Sequence, residues 1–301
     1  MISLKQLHYA LAIERTLHFR KAAIDCNVSQ SALSTAIHEF EKQLGTTVFE
    51  RNNKQVLITK DGQLILNKAK RVKIELDELM QLTHANKEPF SNSMSIGVIP
   101  TIGPYLLPKV LPELRAQYPN FKLRIIEEQS HILVDKVRTG EIDAAILALP
   151  YPIQGLMNFD FWQEDFYWIC HKDDYSNHQT REITGEELET EKLMLLKDGH
   201  CLKEHALSAC KLQDQKQESD FYSSSLHTLV QMVAGKLGTT FVPQMALDQL
   251  IHNESELAAV HLNEPGPHRT ISFIIRPNYV RTNELNLLRT IFTEQLNKKC
   301  S

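Results

Sequence analysis

The sequence predicts an α/β protein in three parts: a small helical head with a two-stranded wing, one long helix, and a body of two α/β lobes. Three observations carry this. Short helical periods crowd the first 44 residues, a heptad-spaced stretch follows, and beyond residue 93 strand-like and helix-like segments alternate. The chain of 301 residues has room for two or three domains, and its 42% hydrophobic content can fill their cores.

Residues 3–14 set Leu4, Leu7, Ala10 and Leu11 on one face of an amphipathic helix. Phe19 to Asp25 forms a second, short helix through Phe19, Ala22 and Ala23. Cys26-Asn27-Val28 reads as a tight turn, and Ser29 is a suitable N-cap for a helix from Gln30 to Leu44. That helix carries an apolar stripe of Leu33, Ala36, Ile37, Phe40 and Leu44, and Gly45 stops it. Wound at about 100° per residue, Ser31, Ser34, Thr35 and His38 fall opposite the stripe, with Gln30 at its shoulder. A strand around Thr47–Phe49, the polar turn Arg51-Asn52-Asn53-Lys54 and a strand Val56–Ile58 then make a hairpin. Residues 1–59 thus have the outline of a winged helix-turn-helix.

A helix follows over residues 60–86. Ile65, Ala69, Val72, Leu76 and Leu79 step by 4, 3, 4 and 3, the spacing of a helix that pairs with its own copy or packs on its own domain. Residues 87–93, KEPFSNS, are expected to form a hinge. Strands are expected at Met94–Ile99, Leu123–Ile126, Ala144–Leu149, Phe166–Cys170, Leu193–Leu196, Thr239–Val242 and Thr270–Ile275. Helices Leu106–Tyr118, Ile132–Arg138, Leu226–Ala234 and Asn283–Leu296 lie between and after them. The alternation predicts mostly parallel sheet covered by helices. Two lobes fit residues 94–301 better than one large sheet: lobe I at about 94–163 and 269–301, lobe II at about 164–268.

Composition narrows the function. No run of 18 apolar residues exists, and the N-terminus has no small-residue cleavage site, so a cytoplasmic protein without membrane contact is expected. The five cysteines show no CxxC spacing and no compact Cys/His quartet, so neither a metal nor another cofactor is expected. In a reducing cytosol any disulfide would be transient and functional. Residues 1–86 carry 12 Lys+Arg against 9 Asp+Glu, and the remainder 21 against 28, a basic head on an acidic body.

The N-terminal run HFRKAAIDCNVSQSALSTAIHEFEKQLGTTVFERNNKQVLITKDG, residues 18–62, resembles the LysR-type transcriptional regulators. The family implies a winged helix-turn-helix, a dimerising linker helix and a two-lobed effector domain like that of periplasmic binding proteins. Ser31 stands where proline is common in the family and Thr35 where arginine is common, which bears on base contacts only. The second half resembles the peroxide-responsive OxyR branch of that family. It does so through IPTIGPYLLPKVLPEL (Ile99–Leu114), the EEQSHIL region, KDGHCLKEHALSAC (Lys197–Cys210) and HRTISFIIRP (His268–Pro277).

A helix fits the major groove of B-DNA. Gln30 can pair bidentately with adenine, Ser31, Ser34, Thr35 and His38 can make shorter contacts, and Arg20, Lys21, Arg51 and Lys54 suit phosphates. Cys201, between Asp198-Gly199-His200 and a helix-forming run, is placed for thiolate chemistry at a helix start, aided by Lys203 or a protonated His200. The resemblance implies peroxide binding by Thr101, Ser130, His200 and Arg269, with Ser130 keeping the hydroxyl of the family's usual threonine. It further implies a switch in which Cys201 is oxidised and then joined to Cys210, nine residues along. The partners implied are promoter DNA, hydrogen peroxide, a second copy in a homodimer or homotetramer, RNA polymerase, and a thiol reductant such as glutaredoxin or thioredoxin. Two rivals remain: a regulator whose interlobe cleft binds a small inducer, and a thiol peroxidase, against which the DNA-binding head argues.

Overall fold

The computed structural model describes residues 1–51, 56–82, 88–175, 182–197, 199, 201–212, 223, 225–251 and 256–298. The chain divides into two compact units, Met1–Asn86 and Lys87–Ser301.

In the first unit, α1 (Leu4–Thr16) opens on a capping box: Ser3 Oγ accepts the Gln6 amide, and the Gln6 side chain accepts the Ser3 amide. α2 (Phe19–Asp25) is capped by His18, whose Nδ1 accepts from the Arg20 and Lys21 amides. α3 (Gln30–Leu44) is capped by Ser29 and ends at Gly45, which adopts the left-handed conformation at φ 70°. Ile13, Ala22, Leu33, Ile37 and Phe40 are fully buried where the three helices meet. The inner face of α1 differs from the expected one. Gln6, Tyr9, Ala10 and Ile13 face the core, and Leu4 is 55% exposed. That set also has helical spacing, but its first member is polar, so the apolar pattern alone selects the wrong face.

β1 (Phe49–Arg51) pairs antiparallel with β2 (Val56–Ile58), Arg51 opposite Val56. β1 begins later than expected because the amides of Val48 and Phe49 donate to Glu41 Oε1 on α3, at 2.8 and 3.0 Å. Arg51 therefore ends a strand instead of opening the turn; Lys54 lies outside the described residues. α4 (Lys60–Leu82) buries Leu66 in the head core and also buries Ala69, while Val72 and Leu79 of the expected heptad are 42% and 59% exposed. The end of the expected helix, residues 83–86, lies outside the described residues.

Residues 88–93 are not free. Phe90, at φ 62°, is buried against the rings of Tyr118 and Phe121, at 4.6 and 4.5 Å. Its amide donates to Glu284, and Arg281 donates to the carbonyls of Asn92 and Ser93.

In the second unit, lobe I contains β3 (Met94–Val98), α5 (Gly103–Gln117), β4 (Leu123–Glu127), α6 (Ser130–Arg138), β5 (Ala144–Leu149) and β6 (Met157–Glu164). The chain then crosses to lobe II, made of β7 (Phe166–His171), α7 (Lys172–Tyr175), β8 (Glu182–Ile183), α8 (Cys201–Ala209), α9 (Leu226–Ala234), β9 (Thr240–Pro243), α10 (Leu247–Leu250) and β10 (Leu257–Leu262). It returns to lobe I as β11 (Arg269–Ile275) and α11 (Thr282–Asn297). The sheet orders are β4-β3-β5-β11-β6 and β8-β10-β7-β9.

The expectation of mostly parallel sheet is corrected. β3 pairs parallel with β4 and β5, and β8 with β10, but β11 is antiparallel to both β5 and β6, and β7 to both β9 and β10. Three strands, β6, β8 and β10, are absent from the sequence reading, and the antiparallel pairs β5–β11 and β7–β9 join foreseen strands, because an apolar run does not report strand direction. β6 mixes polar and apolar residues along a partly exposed strand, and the short run Leu257–Val260 of β10 cannot be told from a helical turn by periodicity. The expected strand at Leu193–Leu196 is reduced to isolated bridges to Thr239 and Ser223. Among the described residues no helix is long and apolar enough to cross a membrane.

Candidate functional site

The two lobes join where β6 passes into β7 and where β10 returns to β11, and polar side chains are buried there. Arg269, the first residue of β11, sits opposite Glu164, the last residue of β6. Its guanidinium donates through Nε to Glu164 Oε1 at 2.8 Å, and through Nη1 and Nη2 to the hydroxyl and carbonyl of Thr101 at 3.4 and 3.2 Å. Both side chains of this ion pair are fully buried.

Cys201 is the first residue of α8, and Ser130 is the first residue of α6. Both are buried, and they are hydrogen-bonded to each other. Helix N-termini present unpaired amides and a partial positive charge, so two such ends flank the sulfur. Gly199, at φ 95°, lets the chain enter α8 beside Gln129: a Cβ there would lie 2.8 Å from Gln129 Oε1.

The sequence reading expects a thiolate, and the structure corrects it. Burial pushes the Cys201 thiol up, against the opposing pull of the Ser130 hydrogen bond and the Arg269 charge; Glu204 adds to the rise. The resting group is therefore a thiol. One turn further along α8, buried His205 has its pKa lowered to about 4 by burial. It is neutral, and because a carbonyl only accepts, its Nε2–H donates to Pro150 O at 2.8 Å.

Cys210 closes the far end of α8, its amide donating to Ala206 O. It is buried, and its thiol is pushed up to about 12 by burial and by Glu264. It packs on Gly185 so closely that a Cβ there would lie 3.0 Å from the Cys210 Cβ. Both thiols are free. A helical rise of about 1.5 Å per residue sets their Cα atoms roughly 13 Å apart. Cys170, buried in β7, also has its pKa raised to about 12 by burial.

Thr101, Ser130, Cys201 and Arg269 are thus brought together, Cys210 stands apart, and His200 lies outside the described residues. Sequence reasoning missed Glu164, His205 and the Pro150 carbonyl. The signal for Glu164 was a carboxylate pair, Glu164-Asp165, between aromatic strands, in FWQEDFYW. Nothing local signals that its partner lies 105 residues away. Beside the site, a cleft of about 500 Å³ is lined by Thr101, Tyr105, Glu127, Gln129, Ser225 and His227, among others.

In the head, Gln30, Ser31, Thr35 and His38 are exposed on α3, and Arg20 and Lys21 on α2. Ser34 is half-buried, at the flank of the apolar stripe, a correction to its expected outward position. Of Arg51 only the backbone is described.

A family model described as "Bacterial regulatory helix-turn-helix protein, lysR family" matches residues 4–63, and one described as "LysR substrate binding domain" matches residues 87–297. The chain belongs to the LysR family. Members are transcriptional regulators, not enzymes, and this LysR-type protein is a DNA-binding regulator. The HTH-type transcriptional regulator EstR of Acinetobacter baylyi is 35% identical, over 96% of this chain and 95% of its own. The DNA-binding transcriptional dual regulator OxyR of Escherichia coli is 33% identical, over 92% of this chain and 90% of its own. Full-length OxyR from Pseudomonas aeruginosa, a Cys-to-Asp variant, is 32% identical with a TM-score of 0.81, covering 97% of this chain and 98% of that one. Among LysR-type regulators this chain is therefore OxyR-like.

Proposed function

We propose that this LysR-type regulator senses hydrogen peroxide at Cys201 and reports it through a disulfide with Cys210. One observation carries the reading. A free thiol hydrogen-bonds Ser130 beside the Arg269–Thr101 pair, and a second free thiol ends the same helix. Similarity to regulators named for OxyR and for hydrogen peroxide-inducible genes supports it.

Hydrogen peroxide takes up the Cys201 sulfur at one oxygen as the O–O bond breaks, and the thiol proton leaves with the other oxygen as water. Sulfur is oxidised to the sulfenic acid and peroxide is reduced. Negative charge develops on the sulfur and on the departing oxygen. Ser130, the Arg269 guanidinium and two helix N-termini are arranged to stabilise it. Cys210 then attacks the sulfenic acid, forming the disulfide and releasing a second water. A disulfide brings Cα atoms within about 7 Å, so the span of α8 must unwind first.

The head reads DNA through Gln30, Ser31, Thr35 and His38, with Arg20, Lys21, Arg51 and Lys54 on phosphates. The exposed Val72 and Leu79 of α4 supply the seam of a homodimer or homotetramer. RNA polymerase, and a reductant such as glutaredoxin or thioredoxin, complete the partners, and the protein works in the cytoplasm. The test is mass measurement after alkylation, before and after micromolar peroxide. Wild type forms the Cys201–Cys210 bond, Cys210→Ser stops at sulfenic acid or beyond, and Cys201→Ser neither oxidises there nor activates.

The cleft beside Thr101, together with the likeness to EstR, favours a second reading: a small inducer bound between the lobes. Induction that survives Cys201→Ser would establish it in place of the first.

A further inference from the structure

Glu164 is the only carboxylate among the described residues that is buried. Its Oε1 accepts from Arg269 Nε at 2.8 Å and pairs with Nη2 at 2.7 Å, and its Oε2 accepts from the Met245 amide at 2.7 Å. One carboxylate thus ties the end of β6 in lobe I to the turn after β9 in lobe II, and holds two of the three guanidinium nitrogens of Arg269. Nη1, and Nη2 besides its pairing with Glu164, are turned to the Thr101 hydroxyl and carbonyl, with the Phe166 ring 5.9 Å from the central carbon.

We propose that Glu164 is a positioning residue of the Cys201 site: it fixes the Arg269 guanidinium against Thr101 and offsets that charge's pull on the Cys201 sulfur. The inference rests on the reading of Cys201 as the peroxide-reactive thiol. A guanidinium stays charged at any pH a protein meets, so only a neighbouring charge can temper it. In a dry interior an unpaired cation acts over a long range, whereas a closely bonded pair acts as a dipole. Burial is the main influence that pushes the Cys201 thiol up, and the pairing with Glu164 limits how far the Arg269 charge can oppose it. It keeps the sensor quiet until peroxide arrives.

The other groups that act on the sulfur are Glu204 on α8, Tyr151 after β5, the Ser130 hydroxyl and the Ala148 backbone. All of them are unchanged in the variants below.

The experiment uses the full chain carrying Cys210→Ser and follows Cys201 by peptide mass, as iodoacetamide alkylation against pH and as oxidation by peroxide. In Glu164→Gln the shape is kept and the charge lost. The alkylation midpoint should fall by about one pH unit, giving about tenfold more thiolate at neutral pH. In Glu164→Asp the charge is kept but the carboxylate is withdrawn by one methylene. The midpoint should stay at the wild-type value, while oxidation slows several-fold as the guanidinium is drawn away from Thr101. Since Glu164→Gln leaves a buried cation unpaired and can fail to fold, the aspartate variant stands as an independent test. An unmoved midpoint in the glutamine variant, or oxidation at the wild-type rate in the aspartate variant, overturns the role of Glu164. A wild-type Cys201 that alkylates but is not oxidised by peroxide overturns the sensing reading instead.

Discussion

At the scale of single residues, His205 shows what burial does to a group that lacks a countercharge. Its ring is 4% exposed, and its Nδ1 has no hydrogen-bond partner among the described residues. Its pKa falls to about 4, against about 6.5 in an unfolded chain. Proton uptake therefore favours the unfolded state. The contribution of His205 to stability is fully present above about pH 6.5 and is lost as pH falls towards 4, reaching about 2 kcal/mol at pH 5. His205→Gln keeps a donor for the Pro150 carbonyl and cannot titrate. Urea midpoints at pH 7.5 and 5 should diverge between the two proteins, with the wild type losing more at pH 5. Parallel losses would mean that the ring is hydrated. Its position on α8 was plain in the sequence, but its burial was not, because α8 is only weakly amphipathic and histidine suits either face.

Among the elements, α8 holds the most strained relation between sequence and task. The nine-residue spacing and the helix-forming run between the cysteines were legible, and so was the helix start at Cys201. What anchors the helix came only from the fold: Ser130 at its first turn, Pro150 at its second, and at its end a glycine that leaves room for Cys210. Oxidation must release these contacts before the sulfurs can meet. Amides of α8 should be protected from hydrogen exchange in the reduced protein and lose that protection in the oxidised one. Equal protection in the two states would mean that the disulfide forms without refolding the segment. The wing makes the complementary point. Its strands were foreseen, but Glu41 draws Val48 and Phe49 onto α3 and shifts β1 towards Arg51, a long-range bond that no local pattern reports.

For the molecule as a whole, charge divides between a basic head and an acidic body, and the head's affinity should carry the mark of counterion release. Replacing both Arg51 and Lys54 by Ala should weaken binding to every DNA sequence and flatten the dependence of log affinity on log salt by about one unit per lost phosphate contact. Substituting Gln30 should chiefly relax sequence preference at the same slope. Filter-binding or fluorescence titrations over a salt series decide this, and equal slopes for the parent and the double variant would remove both residues from the phosphate contacts.

By itself the sequence determined the family, the helical head, the order of most elements and the presence of two cysteines on one helix. Each of these is written in local spacing: caps, apolar periods, and two cysteines nine positions apart. Only the tertiary structure decided the mixed direction of the sheets, the anchoring of Phe90, and the Glu164–Arg269–Thr101 network beside Cys201. It also decided the burial of the Cys201 sulfur, which pushes its thiol up. The physical reason is common to all of them. Desolvation and pairing depend on which distant segments exclude water together, and residues more than a hundred positions apart carry no mark of each other until the chain has folded.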